Sequence, residues 1–518
     1  MSDSDLPRDA LAQLEARKER AREMGGADKI ERQHARGALT ARERIARLLD
    51  ADSFFELGQL NHSDVPGMEA RTAADGKIAG YGRIDGRSVA VAADDVTVLA
   101  GSGGRIGGRK SHRILELAVE KGYPLINLGE AGGARIPDIL GSDGLSSMTI
   151  GMDAAQRCRR VPMVAAIFGE CFGSASWYAA LADFVVQVKG SCMAVSGPRV
   201  LEMATGEKSS NDELGGWELH ARVTGLADRA AEDEAHALAI VREFLSYLPS
   251  SEAQLPPVYQ GDDEAAARQS RLDTFLPDSP RHGYDMHEII HTLADHRHFF
   301  PVKPEFDRSV ITGFMRVDGR SVGVIASNPR HAAGAMGPDG CDKCASFIAL
   351  CDSFHVPLLF LHDTPGFFVG KAAEQKRMPG KIINFIEALS LATVPIVSIV
   401  VRKSYGMAYG NMAGSGMGAD FVYAWPTADI GFMAPEVAAN VVGGPKIKSA
   451  PDPKAAMDQV IAEIRESTAP WRAAGLHYLD DVIRPSDTRA VLIRSMELAR
   501  GNNGGRSQRR LANWPTSF

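Results

Sequence analysis

The sequence predicts an α/β protein made of two tandem copies of one domain, and three observations carry that prediction. First, RIDGRSV at 83–89 returns as RVDGRSV at 316–322, 233 positions later. The same offset pairs Pro124 with Pro357, Pro162 with Pro395 and Gly173 with Gly406. It slips by four only further on, where Asp183 matches Asp420. A period this long describes a duplicated domain rather than a solenoid repeat. Second, each copy runs through alternating strands, a helical stretch and then uninterrupted apolar strands, the pattern of parallel sheet covered on both faces. Third, YLPSSEAQLPPVYQGDDEAAARQS (247–270) has the Pro, Ser and acidic composition of a linker. It places the boundary near residue 260, giving domains 1–260 and 261–518.

The elements follow in order. LPRDALAQLEARKERAREMG reads as a charged amphipathic helix, and LTARERIARLLDADSFFELG as a second helix with Thr40 at its N-cap. In each copy two alternating strands meet at an Asp-Gly pair, the signature of a tight hairpin (KIAGYGRI-DG-RSVAVAADD and VITGFMRV-DG-RSVGVIASN). A helix follows, KSHRILELAVEKG or CDKCASFIALCDSF. Buried strands then end in small residues: PLINLGEAGGAR and PMVAAIFGECFGSA in the first copy, PLLFLHDTPGFFVG and PIVSIVVRKSYGMAY in the second.

Bulk properties exclude several classes. The 518 residues exceed a single core and suit two domains. A net charge of −7 lacks the basic footprint of nucleic-acid binding. The polar N-terminus predicts no signal peptide, and no apolar run reaches the roughly 20 residues of a membrane span, so a cytoplasmic protein is expected. Cys341 and Cys344 form a lone C-x-x-C with no second pair nearby, which predicts ordinary thiols at a helix start and no metal site.

The glycine-rich strand ends carry the chemistry. A strand that stops at Gly173-Ser174 or Gly406-Met407 and resumes as a helix leaves free backbone N–H groups at the helix start. Two such donors make an oxyanion hole, whose stabilisation of developing negative charge often outweighs every other catalytic effect, and the helix dipole adds to it. Glycines there also allow close helix–sheet packing. Recurrence at equivalent points of both copies favours a ligand-binding role. No P-loop or dinucleotide fingerprint is present.

An ordered set of stretches spanning about residues 35–490 carries a resemblance: DDVTVLAGSGG, GEAGGARI, VKPEF, DTPGF-x-x-G, RKSYG-x-AY and GADFVYAWPTADI among them. With these the chain resembles the carboxyltransferase (β) subunit of biotin-dependent acyl-CoA carboxylases, the propionyl-CoA and acetyl-CoA group. The resemblance implies two crotonase-like β-β-α superhelix domains. It also implies a homo-hexamer whose active site forms between the N-domain of one subunit and the C-domain of its partner. The implied substrate is an acyl-CoA. The implied cofactor is biotin, carried as carboxybiotin on a separate biotin carboxylase or carrier subunit, because this chain has no A-M-K-M motif. On this basis the N–H groups of Gly173 and Ser174 stabilise the thioester enolate, and those of Gly406 and Met407 the biotin side. Gly132, Gly133, Ala134 and Arg135 match the loop near CoA. Lys403 precedes the second turn.

Three stretches depart from the family. GECFGSA (169–175) replaces G-P-C-A-G-G-A and brings Glu170 and Phe172 beside the thioester site. GMAYGNM (406–412) replaces G-G-A-Y-D-V-M, putting Gly410 next to Tyr409 where an acidic residue lines the acyl pocket. RMPGKIIN (377–384) lacks the usual His, Arg and Lys of G-I-I-R-H-G-A-K. The acyl group is therefore open, and Glu170 reads as a specificity residue, an acid/base group or a surface carboxylate. Three other activities stay in view: the carboxyltransferase of a biotin-dependent acyl-CoA decarboxylase, a non-catalytic acyl-CoA-binding homologue, and a crotonase-type hydratase using Glu130 with Glu170.

Overall fold

A computed structural model describes residues 6–146, 158–279, 282–499 and 509–515. The chain divides into two compact units, Met1–Gln254 and Leu255–Thr516.

In unit 1 the helices Leu6–Arg22, Ala27–Ala35 and Ala41–Leu48 precede the sheet. Thr40 caps the third through a reciprocal box in which its hydroxyl accepts from Glu43 N–H and the Glu43 carboxylate accepts from Thr40 N–H. The strands are β1 (Phe55–Leu57), β2 (Lys77–Ile84), β3 (Arg87–Asp94), β4 (Leu125–Ala131), β5 (Met163–Phe172), β6 (Phe184–Val188), β7 (Cys192–Ala194) and β8 (Arg229–Ala231). They form one sheet in the order β1-β2-β3-β4-β5-β6-β8, with β7 on β5. The β1–β2–β3 pairs are antiparallel and the remainder parallel. Parallel neighbours need a crossover, and helix Arg105–Lys121 makes the one from β3 to β4.

Unit 2 repeats the plan with β9 (Phe299–Val302), β10 (Val310–Val317), β11 (Arg320–Ser327), β12 (Leu358–Thr364), β13 (Ile396–Tyr405), β14 (Phe421–Ala424), β15 (Asp429–Gly431) and β16 (Asp481–Val482). Their order is β16-β14-β13-β12-β11-β10-β9, with β15 on β13. Helix Pro338–Ser353 is the crossover between β11 and β12.

The repeat persists in fine detail. Both hairpins turn through two positive-φ residues, Asp85-Gly86 and Asp318-Gly319, as the Asp-Gly pairs predict. Each turn's two N–H groups are held by one carboxylate, Asp50 in unit 1 and Asp295 in unit 2. In each crossover helix one buried lysine donates to three backbone carbonyls. Lys110 reaches Gly58, Ala74 and Lys77; Lys343 reaches Phe306, Asp307 and Val310. Burial pushes both ammonium groups down to about 8. Cys341 and Cys344 are wholly buried in helix Pro338–Ser353. No helix among the described residues is long and apolar enough to cross a membrane.

Candidate active site

β5 and β13 are each ten residues long, and each changes neighbour along its length. β5 pairs with β6 over Val164–Ile167 and with β7 over Glu170–Phe172. β13 does the same with β14 and then β15. Directly after this handover comes a left-handed glycine, Gly173 at φ 66° or Gly406 at φ 60°, and then a short helix, Ser174–Ala180 or Ala408–Asn411. A side chain at either φ is disfavoured, which accounts for glycine.

The expectation of a free N–H at each of these glycines is corrected. Gly173 N–H donates to the Val195 carbonyl at 3.1 Å, and Gly406 N–H to the Gly431 carbonyl at 3.0 Å. The next residue supplies the open donor: neither Ser174 N–H nor Met407 N–H has a hydrogen-bond partner among the described residues. The neighbouring loops share this pattern. Gly103 and Met336 bridge to Ala134 and Phe367. The N–H groups of Ala134 and Phe367 themselves have no partner among the described residues.

In unit 1, Gly133 and Ser174 line one cleft of about 380 Å³, together with Phe172, Ala175, Tyr178 and the Gly101–Gly104 loop. Lys77 and Asp94 form an ion pair on its wall. Burial raises the Tyr178 phenol above its ordinary value. The Gly-rich 101–104 run is visible in the sequence. Nothing in the sequence singles out Lys77 and Asp94, because only the antiparallel β2–β3 register sets them opposite each other.

The structure bears on two further expectations. Arg135, placed above in the loop near CoA, is only 3% exposed. Its guanidinium pairs with Asp75 and Asp138, and Asp75 also accepts the Gly107 N–H. It therefore ties the Gly132–Arg135 loop to the start of helix Arg105–Lys121, while Gly132 N–H is taken by the Ala100 carbonyl. Glu170 is exposed, accepts from Asn211 Nδ2 at 3.0 Å, and is not among the cleft-lining residues. Glu130, its suggested hydratase partner, is buried and ion-paired to Arg44 at 2.6 Å, so these carboxylates do not make an acid/base pair.

In unit 2, Met407 is 57% exposed. Tyr409 is half-buried, and its hydroxyl accepts from Ser415 N–H. A Cβ on Gly410 would lie 3.3 Å from Met417 Cε and 3.4 Å from Met407 Cε, so two thioethers occupy the space an acidic side chain would need. Lys403 Nζ donates to buried Asp363 at 2.6 Å, beside Arg402. Below the turn lies His362, wholly buried, its Nε2 2.6 Å from Ser398 Oγ and its Nδ1 3.0 Å from Ser404 Oγ. Ser398 Oγ also contacts the Met412 carbonyl, and the His362 ring meets Tyr409 edge-on. Burial lowers His362 to about 3, so it is neutral. Among the described residues no group of His, Cys, Asp or Glu is arranged to hold a metal.

A model of the carboxyl transferase domain matches residues 32–511. The chain belongs to the carboxyl transferase family. It is 38% identical over 518 residues to the propionyl-CoA carboxylase carboxyltransferase subunit of Haloferax mediterranei, covering 98% of this chain and 99% of that one. It is 35% identical over 497 residues to the methylmalonyl-CoA decarboxylase subunit alpha of Propionigenium modestum, covering 95% and 96%. Among solved structures it is similar to transcarboxylase 12S, a hexamer with methylmalonyl-coenzyme A bound, at 35% identity and TM-score 0.88 over 94% of both chains. The doubled sheet is thus that of tandem crotonase-like domains, and this carboxyltransferase carries the glycine turn twice.

Proposed function

We propose that this carboxyltransferase moves a carboxyl group between biotin, carried on a separate carrier subunit, and the α-carbon of an acyl-CoA. Unit 1 (1–260 by sequence) would take the acyl-CoA and unit 2 the biotin. One observation carries the reading: an N–H without a partner among the described residues at the same helix start in both copies, Ser174 and Met407, behind a clamped left-handed glycine.

In unit 1 the thioester oxygen would accept from Ser174 N–H and from an N–H of the Gly133–Ala134 step, none of which has a partner among the described residues. Charge that builds on that oxygen as the α-proton leaves meets fixed donors with no reorganisation. Gly173 holds the geometry instead of donating. The residues of unit 2 fit a ureido carbonyl in the same way. Met407 N–H is open, and a Cβ on Gly406 would meet only the Phe432 carbonyl, at 3.4 Å. When bound, carboxybiotin supplies the CO2 and a nitrogen that takes the α-proton, so no protein base is needed.

Support for assembly of several molecules of this chain comes from exposed side chains near the turns in sequence. Unit 1 exposes Ile136, Val195 and Val200, and unit 2 exposes Val369, Phe432 and Val437 at the matching repeat positions. A homo-hexamer would give these apolar side chains a surface to bury against. The methylmalonyl-CoA decarboxylase relatives keep the reverse reaction as the second reading. Incubation of the purified chain with free biotin and dicarboxylic acyl-CoAs tests the proposal. Biotin-dependent decarboxylation is expected, and none with any CoA ester would refute it. Co-purification with a biotin carboxylase, or instead with membrane subunits, then fixes the direction.

A further inference from the structure

We infer that the acyl group handled by this chain is an uncharged chain of about six carbons, its tail lodged in a blind recess of unit 1. The inference rests on the carboxyltransferase reading above. The main cleft adjoins a second cavity of about 50 Å³, and the two share Lys77, Asp94, Ser111, Ala175 and Tyr178. Beyond that threshold the walls are mostly apolar, with Leu115, Leu125, Met163, Ile167, Ala179 and Leu181 from the core, and the one polar side chain is the uncharged amide of Asn127. A water-sized group needs roughly 10–15 Å³ of such volume, so the recess holds about four.

The position of the recess selects its occupant. Ser174 opens the helix and presents the free N–H, Ala175 and Tyr178 stand at the threshold, and Ala179 lies one turn beyond Ala175. One turn rises about 5.4 Å, the reach of about four carbon–carbon bonds. A thioester with its oxygen on Ser174 N–H and its chain laid along this helix would therefore fill the recess with the carbons beyond the α position. Lys77 and Asp94 neutralise each other at the threshold, so it presents a lysine stem and no net charge. That suits an alkyl tail and gives a terminal carboxylate no free cation. Interiors are normally packed without room for several methylenes, and this space opens onto the reacting position.

The test follows decarboxylation of methylmalonyl-, ethylmalonyl- and butylmalonyl-CoA by the full chain with free biotin as acceptor. We expect kcat/KM to rise about fourfold per added methylene, about 60-fold from methyl to butyl. Ala179→Leu, which fills the recess, is expected to reverse that ratio. The wild-type series stands by itself if the variant misfolds. A wild-type preference for methylmalonyl-CoA overturns the inference and leaves the carboxyltransferase reading intact. Turnover of none of the three overturns both.

Discussion

Gly173 donates its N–H to the Val195 carbonyl at 3.1 Å, and this bond is what turns the following N–H, that of Ser174, into the open donor. It joins the end of β5 to the residue just past β7, so the donor's direction is fixed by sheet pairing rather than by loop conformation. The first prediction tests the donor alone. Ser174 is the first helical residue, where proline is tolerated. Ser174→Pro should lower kcat about 10²–10³-fold with the melting temperature little changed. Ser174→Ala, which keeps the N–H, should stay within a few-fold of wild type.

Gly406→Ala places a side chain at φ 60°, at a cost of about 1–2 kcal/mol. A thermal scan should show a small destabilisation, accompanied by a larger loss of biotin-dependent turnover as the Met407 N–H is displaced.

Lys343 fills all three of its donors with buried carbonyls. Lys343→Met leaves those acceptors unmatched, each costing about 1–3 kcal/mol. Denaturant unfolding should report a loss of several kcal/mol, and Lys343→Arg should not restore stability in so closed a site.

His362 gives the protein an acid limit. Its folded value of about 3 lies below the ordinary 6.5, so the unfolded chain takes up this proton first. The stability it contributes is complete above pH 6.5 and declines toward pH 3 by up to about 1.4 kcal/mol per pH unit. Melting temperatures of His362→Gln measured between pH 7 and 5 should fall less steeply than those of wild type.

Phe432→Glu puts a charge on the exposed apolar rim beside the Gly431 carbonyl. Light scattering should show a smaller assembly, and turnover should fall with it.

Most of the architecture was legible in the sequence because the chain states it twice. The Asp-Gly turns, the Thr40 cap and the buried strands follow from local pattern, and a second copy under the same offset removes coincidence. What could not be read was whatever depends on partners far along the chain. Glycine at 173 signals a turn, but only the pairing of β5 with β7 shows that its N–H is already engaged. Arg135 could be matched to the loop near CoA, but not seen to be closed in by the carboxylates of Asp75 and Asp138. Lys110 and Lys343 stand 233 positions apart, a clue that passes unnoticed because a lysine in a helix ordinarily faces water.

The change of neighbour along β5 has a consequence for biosynthesis. The clamp on Gly173 arrives with Val195, more than twenty residues after it. A nascent chain halted near residue 190 lacks the carbonyl that fastens this turn, so the clamp cannot close until Val195 has been made. The second copy meets the same delay between Gly406 and Gly431.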